Sequence, residues 1–207
     1  MTPKNNSSFA WGRLVRYHIK VSDQEDGESR FQEIPSDEVF LKVVYVADLS
    51  DSEGEIDHLN KIDSLGLASI KKSNCLNCHN FKSKALGPSF AAIAKRYQDT
   101  DSNVRTLENH IKQGSSGVWG QASMPSHNEL SQKKLHNIVH WIMKRAADPT
   151  TNYYVGTSGT FKMHAPSKPN GHSGVILMAS YTDHGTKKEP EKTLRDTDRV
   201  IIHGINK

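Results

Sequence analysis

Cys75-Leu76-Asn77-Cys78-His79 holds both cysteines of the 207-residue chain, three positions apart, with a histidine directly behind the second. Cys-x-x-Cys-His is the attachment pattern for c-type haem. Two thiols add across the vinyl groups, and the adjacent histidine is then held under the iron. Other chemistries compete for the same residues. A disulfide between Cys75 and Cys78 would close a very short loop and stabilise little. A thioredoxin-like redox pair wants a βαβ setting, but the residues around the motif read as helical. A zinc site needs two ligands beyond the cysteines, with His110 or His127 as loose candidates. Covalent haem is the expectation, and the surrounding sequence tests it.

After the motif, Gly87-Pro88-Ser89-Phe90 opens a stretch with Phe90, Ile93, Ala94 and Tyr97 on one helical face, Pro88 suiting the first helical position. Asp101 or Ser102 caps a second predicted helix, with Val104, Leu107 and Ile111 on one side and Gly114 at its end. Gly114 to Asn128 has no apolar periodicity and carries Trp119, Met124 and Pro125. Ser131 then caps a third helix with Leu135, Ile138, Val139, Ile142 and Met143 on one stripe. Lys144 and Arg145 suit its C-terminus. Before the motif, Ile62 to Ser73 reads as a shorter helix.

In this order, residues from about Ile62 to Ala147 resemble a class I cytochrome c domain: helix, Cys-x-x-Cys-His, Gly-Pro segment, two middle helices, methionine loop, final helix. The resemblance implies His79 as proximal ligand, with the Pro88 carbonyl accepting a hydrogen bond from its other ring nitrogen. It implies Met124 as distal ligand and Trp119 as the indole packed on the porphyrin, so that Cys75, Cys78, His79, Pro88, Trp119 and Met124 form the site. His127, three residues beyond Met124, is the competing sixth ligand. A bis-histidine iron would keep the electron-transfer role at a lower potential, because axial methionine raises it. His110, His136 and His140 fall on predicted helices and read as surface or core residues.

The flanks differ in composition. Trp11 to Val21 and Glu38 to Val46 are rich in β-branched and aromatic residues, as are Tyr153 to Met163, Gly174 to Thr182 and Arg199 to His203. Two strands before the helical region and three after are too few for separate cores. The expected fold is therefore α+β: a haem domain over residues 61–147, inserted between flanks 1–60 and 148–207 that join as one small β-sandwich. Tyr17 to Gly27 resembles the end of a polycystic-kidney-disease-type, immunoglobulin-like module. Met178 to Gly185 resembles a β segment following cytochrome domains in bacterial sugar-dehydrogenase-like proteins. The acidic turn Asp23 to Asp26 reads as a solvated turn, calcium being its alternative. Trp11, Tyr153, Tyr154 and Tyr181 are the candidates for a carbohydrate-binding platform.

Charge is uneven. Residues 61–147 carry 13 Lys and Arg against 5 Asp and Glu, whereas residues 1–60 carry 6 against 12. Lys71, Lys72, Lys82, Lys84, Lys95 and Arg96 lie close in sequence to the attachment motif, a field that speeds encounters with acidic redox partners. No nucleic-acid recognition motif accompanies it. No run has membrane-spanning length, and Met1-Thr2-Pro3-Lys4 leads into no signal-peptide core. Covalent haem belongs to the bacterial periplasm or exterior, so the sequence reads as an excised piece of a longer exported protein. The expected function is single-electron transfer at six-coordinate haem c, not enzymatic turnover. By resemblance, the donor is a quinoprotein sugar dehydrogenase on the same polypeptide; another cytochrome or a secreted copper oxygenase is the acceptor. The alternatives are a five-coordinate haem sensor or peroxidase-like site, and a carbohydrate-binding or docking β module carrying a haem.

Overall fold

A computed structural model describes residues 1–50, 63, 65–186, 188–189 and 192–206. The chain divides into two units, Met1–Ser52 with Thr150–Lys207, and Glu53–Pro149. The acidic linker expected from Asp48 to Asp57 lies outside the described residues from Asp51 onward, as does Ile62 at the start of the first predicted helix.

The first unit is built from strands β1 (Ser7–Ala10), β2 (Leu14–His18), β3 (Ser22–Asp23), β4 (Gly27–Glu28), β5 (Phe40–Val46), β6 (Thr151–Val155), β7 (Ser158–Lys162), β8 (Gly174–Thr182) and β9 (Arg195–Ile205). Five form one sheet in the order β1-β9-β8-β5-β6, so strands from both flanks share it. β1 runs parallel to β9 and the other pairs are antiparallel, β5 meeting β8 from Phe40↔Ser180 to Val46↔Gly174. β2 and β7 pair as a separate antiparallel ribbon, Leu14↔Lys162 to His18↔Ser158. Alternation decides which side chains meet. Leu41 and Val43 of β5, Val175 and Leu177 of β8, and Ile202 of β9 share one core with Val15 of β2 and Phe161 of β7.

The flanks thus hold nine described strands rather than five. The stretch Tyr153 to Met163 is two strands: at Gly156, φ +119°, the chain leaves the five-stranded sheet and enters the ribbon. Only glycine adopts that conformation without strain. The aromatic platform is also corrected. Tyr153 and Tyr181 are buried at 7% exposure each, and Trp11 and Tyr154 pack partly buried against the core, so these rings hold the unit together.

The acidic turn is engaged internally. Asp23 Oδ1 accepts the amides of Glu25 and Asp26. Asp26 in turn accepts the Tyr181 hydroxyl at 2.6 Å and the His184 amide at 3.0 Å. Among the described residues no group of three or more His, Cys, Asp or Glu is suited to hold a metal. The His184 ring lies between two carboxylates, Nδ1 at 3.1 Å from Asp26 and Nε2 at 3.1 Å from Glu38, so both nitrogens donate only in the charged form. The hydrogen bond to Asp26 holds the imidazole above its usual pKa, against desolvation. At Asp26 desolvation works upward, but hydrogen bonds from Tyr181 and His184 outweigh it and the carboxyl sits low.

The Asp26 contribution is therefore present above about pH 3.9 and lost as pH falls through its lowered folded value. That of His184 is full below about pH 6.5 and lost as pH rises through its raised folded value. The cluster is expected to stabilise the β unit most between about pH 4 and 6.5. Thermal melts of wild type and His184→Gln across pH check this. The variant should lose the alkaline limb, and identical profiles would refute it.

The second unit holds helices α1 (65–72), α2 (Phe90–Arg96), α3 (Asp101–Gln113) and α4 (Gln132–Arg145), with a 3₁₀ turn at Cys75–Asn77. Ser89, Thr100 and Ser131 cap α2, α3 and α4 by accepting the amides of Ala92, Asn103 and Lys134. Pro88 is thus one residue before the cap rather than at the first helical position. The α3 cap is Thr100 rather than Asp101 or Ser102. Trp141 is fully buried; its ring meets Phe81 and Phe90 edge-on, each at 5.9 Å, and its Nε1–H donates to Asp63 at 2.9 Å. Met143, expected in the core stripe, is only half-buried. Gly66 lets α1 pass close to α4, since a Cβ there would sit 2.2 Å from Trp141 Cβ. No helix is long and apolar enough to cross a membrane among the described residues.

Candidate functional site

One turn presents the motif. Asn74 in the left-handed region, φ 55°, starts the 3₁₀ turn, and the Cys75 carbonyl accepts the amides of Cys78 and His79 at 3.2 and 2.9 Å. Both cysteines are free thiols. Burial pushes the Cys75 thiol up to about 11, so it is protonated and a weak nucleophile at neutral pH.

His79 is buried at 7% exposure. Its Nδ1–H donates to the Pro88 carbonyl at 2.6 Å, which fixes the tautomer and leaves Nε2 as the nitrogen free to coordinate. The Phe90 ring lies nearly parallel to the imidazole at 5.4 Å. Behind it Gly87 donates to the Cys78 carbonyl at 2.8 Å, and a Cβ at Gly87 would come within 2.7 Å of His79 Cε1. The ring is hydrogen-bonded and buried, so it has little room to yield. Gly87→Ala is expected to cost about 1–3 kcal/mol through overpacking, read as a lowered urea midpoint. An unchanged midpoint would mean that the imidazole moves freely.

Met124 comes from the segment after α3. Its amide and carbonyl pair with those of Ser115 at 2.8 and 3.1 Å, which backs the loop onto the end of α3. Cys75, Cys78, His79, Pro88, Trp119 and Met124 all line one cleft of about 330 Å³. Its remaining walls are largely apolar, with Phe90 and Ile93 from α2, Leu107 and Ile111 from α3, and Ile138 and Ile142 from α4. His127 does not line this cleft; its Nδ1 lies 3.1 Å from Glu129 Oε1. His110 does line it, although its helical position read as surface or core. The signal available was its place beside Leu107 and Ile111 on α3.

Residues 66–142 match the family model described as cytochrome C oxidase, cbb3-type, subunit III. Over 73 residues the chain is 41% identical to cytochrome c-552 of Nitrosomonas europaea, an alignment covering 35% of this chain and 71% of that protein. The chain belongs to the c-type cytochromes. A second relative, cytochrome c-552 of Hydrogenobacter thermophilus, is 37% identical over 73 residues, 35% of this chain and 74% of that protein. The crystal structure of the Nitrosomonas europaea cytochrome c552 aligns at 39% identity and a TM-score of 0.36, covering 37% of this chain and 95% of that one.

As a c-type cytochrome, the chain takes covalently bound haem c as its cofactor and electron transfer as the role of its helical unit. Its residues fit that group. Two thiols stand one turn apart, an imidazole has only Nε2 uncommitted, and a thioether and an indole complete a cleft of apolar walls. Such a lining, with a few convergent polar groups, suits a large flat apolar cofactor.

Proposed function

We propose that the cytochrome relays single electrons at a six-coordinate haem, with His79 as proximal and Met124 as distal ligand. The observation that carries this reading is the His79 hydrogen bond to Pro88, which commits Nδ1 and leaves Nε2 for iron in the cleft that Met124 also lines. When bound, haem c supplies a one-electron iron couple whose potential follows its axial ligands and burial. Everything else falls to the chain. Cys75 and Cys78 tether the ring, Pro88 orients the imidazole and raises its basicity, Trp119 packs a ring face, and the apolar walls exclude water.

Donor and acceptor belong to the same proposal. An extracytoplasmic quinoprotein sugar dehydrogenase, as a domain of the same polypeptide, is the proposed donor. Another cytochrome or a secreted copper oxygenase is the acceptor. Exposed Lys82, Lys84, Lys95 and Arg96, with Leu86 71% exposed at the cleft, suit an acidic partner around an apolar contact. The β flanks, in this reading, are one small sandwich that carries the haem domain 61–147 as an insert, in the periplasm or outside the cell.

An optical spectrum of protein made in a host with c-type haem maturation tests the reading. Reduced bands that survive acid-acetone extraction, together with the weak near-infrared band of methionine-ligated ferric haem, are the expected result. Retained haem without that band would remove Met124 as ligand, and no retained haem would remove the carrier.

A further inference from the structure

Between Gly114 and Leu130 the chain buries only Leu130, and it is largely exposed from Ser116 to Ser126. Gly117 and Gly120 take positive φ values of 75° and 111°, and a Cβ at either would meet nothing within 4 Å. The rest of the segment, outside the cleft that Trp119 and Met124 line, therefore has little apolar burial to fix it. Backbone pairing supplies part of the answer, through Ser115 with Met124 and through the His127 amide on the Ile111 carbonyl at 3.0 Å.

Two cations supply the rest. Arg96, the last residue of α2, donates to the Val118 carbonyl at 2.8 Å, and its guanidinium lies 4.5 Å from the Trp119 ring centroid. Lys112, in the last turn of α3, donates through Nζ to the carbonyls of Asn128 at 2.5 Å and Leu130 at 2.8 Å. Arg96 holds the segment before Met124, at Val118, and Lys112 holds it after Met124, at Asn128 and Leu130, each from a different helix. Charged donors on backbone carbonyls are stronger than neutral ones, and the guanidinium adds a cation–π contact. Read from the sequence alone, Arg96 counts only as part of the basic field beside the motif, and Lys112 has no role.

We propose that Arg96 and Lys112 are positioning residues of the haem site, pinning the segment around Met124 so that the thioether stays at the cleft. The inference rests on the Met124 reading for its effect at the iron, but not for its effect on the segment. Lys112→Met keeps the length of the side chain and removes the donors; Lys112→Arg retains donors. Arg96→Met and Arg96→Lys form the second pair.

The test uses the full holoprotein and two readouts. Imidazole, as an added probe, reaches ferric iron only when Met124 leaves, so its binding rate follows opening of the segment. Amide hydrogen exchange at Ser115, Met124 and His127 follows the same opening without reference to the iron. Lys112→Met should raise both about tenfold, the size of one charge-assisted hydrogen bond, and leave exchange in the middle of α4 unchanged. Arg96→Met should act in the same direction, and each conservative variant should restore most of the effect.

Unchanged exchange at the three amides in both methionine variants would overturn the proposal. Exchange rising equally in α4 would overturn it too, since it would mean general destabilisation. A wild-type protein that binds imidazole without hindrance would sink the Met124 reading instead, and the exchange data would still decide the anchors.

Discussion

Replacing Trp141 by alanine should lower the stability of the helical unit by about 3–5 kcal/mol, the range for a large buried aromatic side chain. Trp141 has no exposed surface, and its ring is the meeting point of Phe81 and Phe90, themselves 6.0 Å apart. Alanine leaves a cavity between α4, Gly66 of α1, Phe81 and Phe90 of α2 that these neighbours cannot easily fill. It also removes the N–H that Asp63, 1% exposed, accepts at 2.9 Å. A domain stable by only about 5–15 kcal/mol gives up a large part of its margin by such a change. Urea unfolding of wild type, Trp141→Ala and Trp141→Phe separates the contributions. Phenylalanine keeps most of the area and should cost about 1–3 kcal/mol for the lost donor. A change below about 1 kcal/mol for alanine would remove Trp141 from the core account.

Trp141 also shows where reading the sequence stopped. The stripe Leu135, Ile138, Val139 and Ile142 makes α4 legible, because an amphipathic period and a serine cap are local signals. Trp141 stands beside that stripe, and its burial depends on Gly66, Phe81 and Phe90 arriving from elsewhere. Arg145 reads as a charge suited to a helix C-terminus, yet it is 5% exposed and bonded to Asp148 at 2.5 Å. Long-range partners decide such positions. The α3 cap is Thr100, one residue before Asp101; an acidic residue in the first turn and a capping residue look alike in sequence.

The β flanks were legible where burial is continuous. β8 agrees with the expected stretch from Gly174 to Thr182, an apolar run needing no partner to be recognised. β1 carries Ser-Ser-Phe-Ala and gave no signal; it is a strand because β9 offers it an edge. The first four residues of β9, Arg195 to Asp198, are exposed and polar, so only its apolar end was visible. The site was legible for another reason. Cys75, Cys78, His79 and Pro88 lie within fourteen residues, and Met124 is marked by its order in the chain rather than by contact.

Met124→Ala should turn a closed iron site into an open one. Met124 is the thioether lining the cleft, and its segment is held by backbone pairing to Ser115 on the α3 side. With methionine present, an outside ligand competes against a group tethered beside the iron, and its apparent affinity falls with the fraction of open molecules. Alanine removes the competitor without touching the Ser115 pairing, which is backbone to backbone. Carbon monoxide binding to the ferrous protein should strengthen by about a hundredfold, as for an open form about 1% populated in wild type, and the near-infrared ferric band should vanish. His127 is poorly placed to take over, being off the cleft and beside Glu129. His110 lines the cleft and is the better candidate for capture. A variant that resists carbon monoxide and shows a bis-histidine spectrum would therefore point to His110, and Met124→Ala/His110→Ala should then open the site. Wild-type protein that already binds carbon monoxide as readily as the variant would mean that Met124 never closed it.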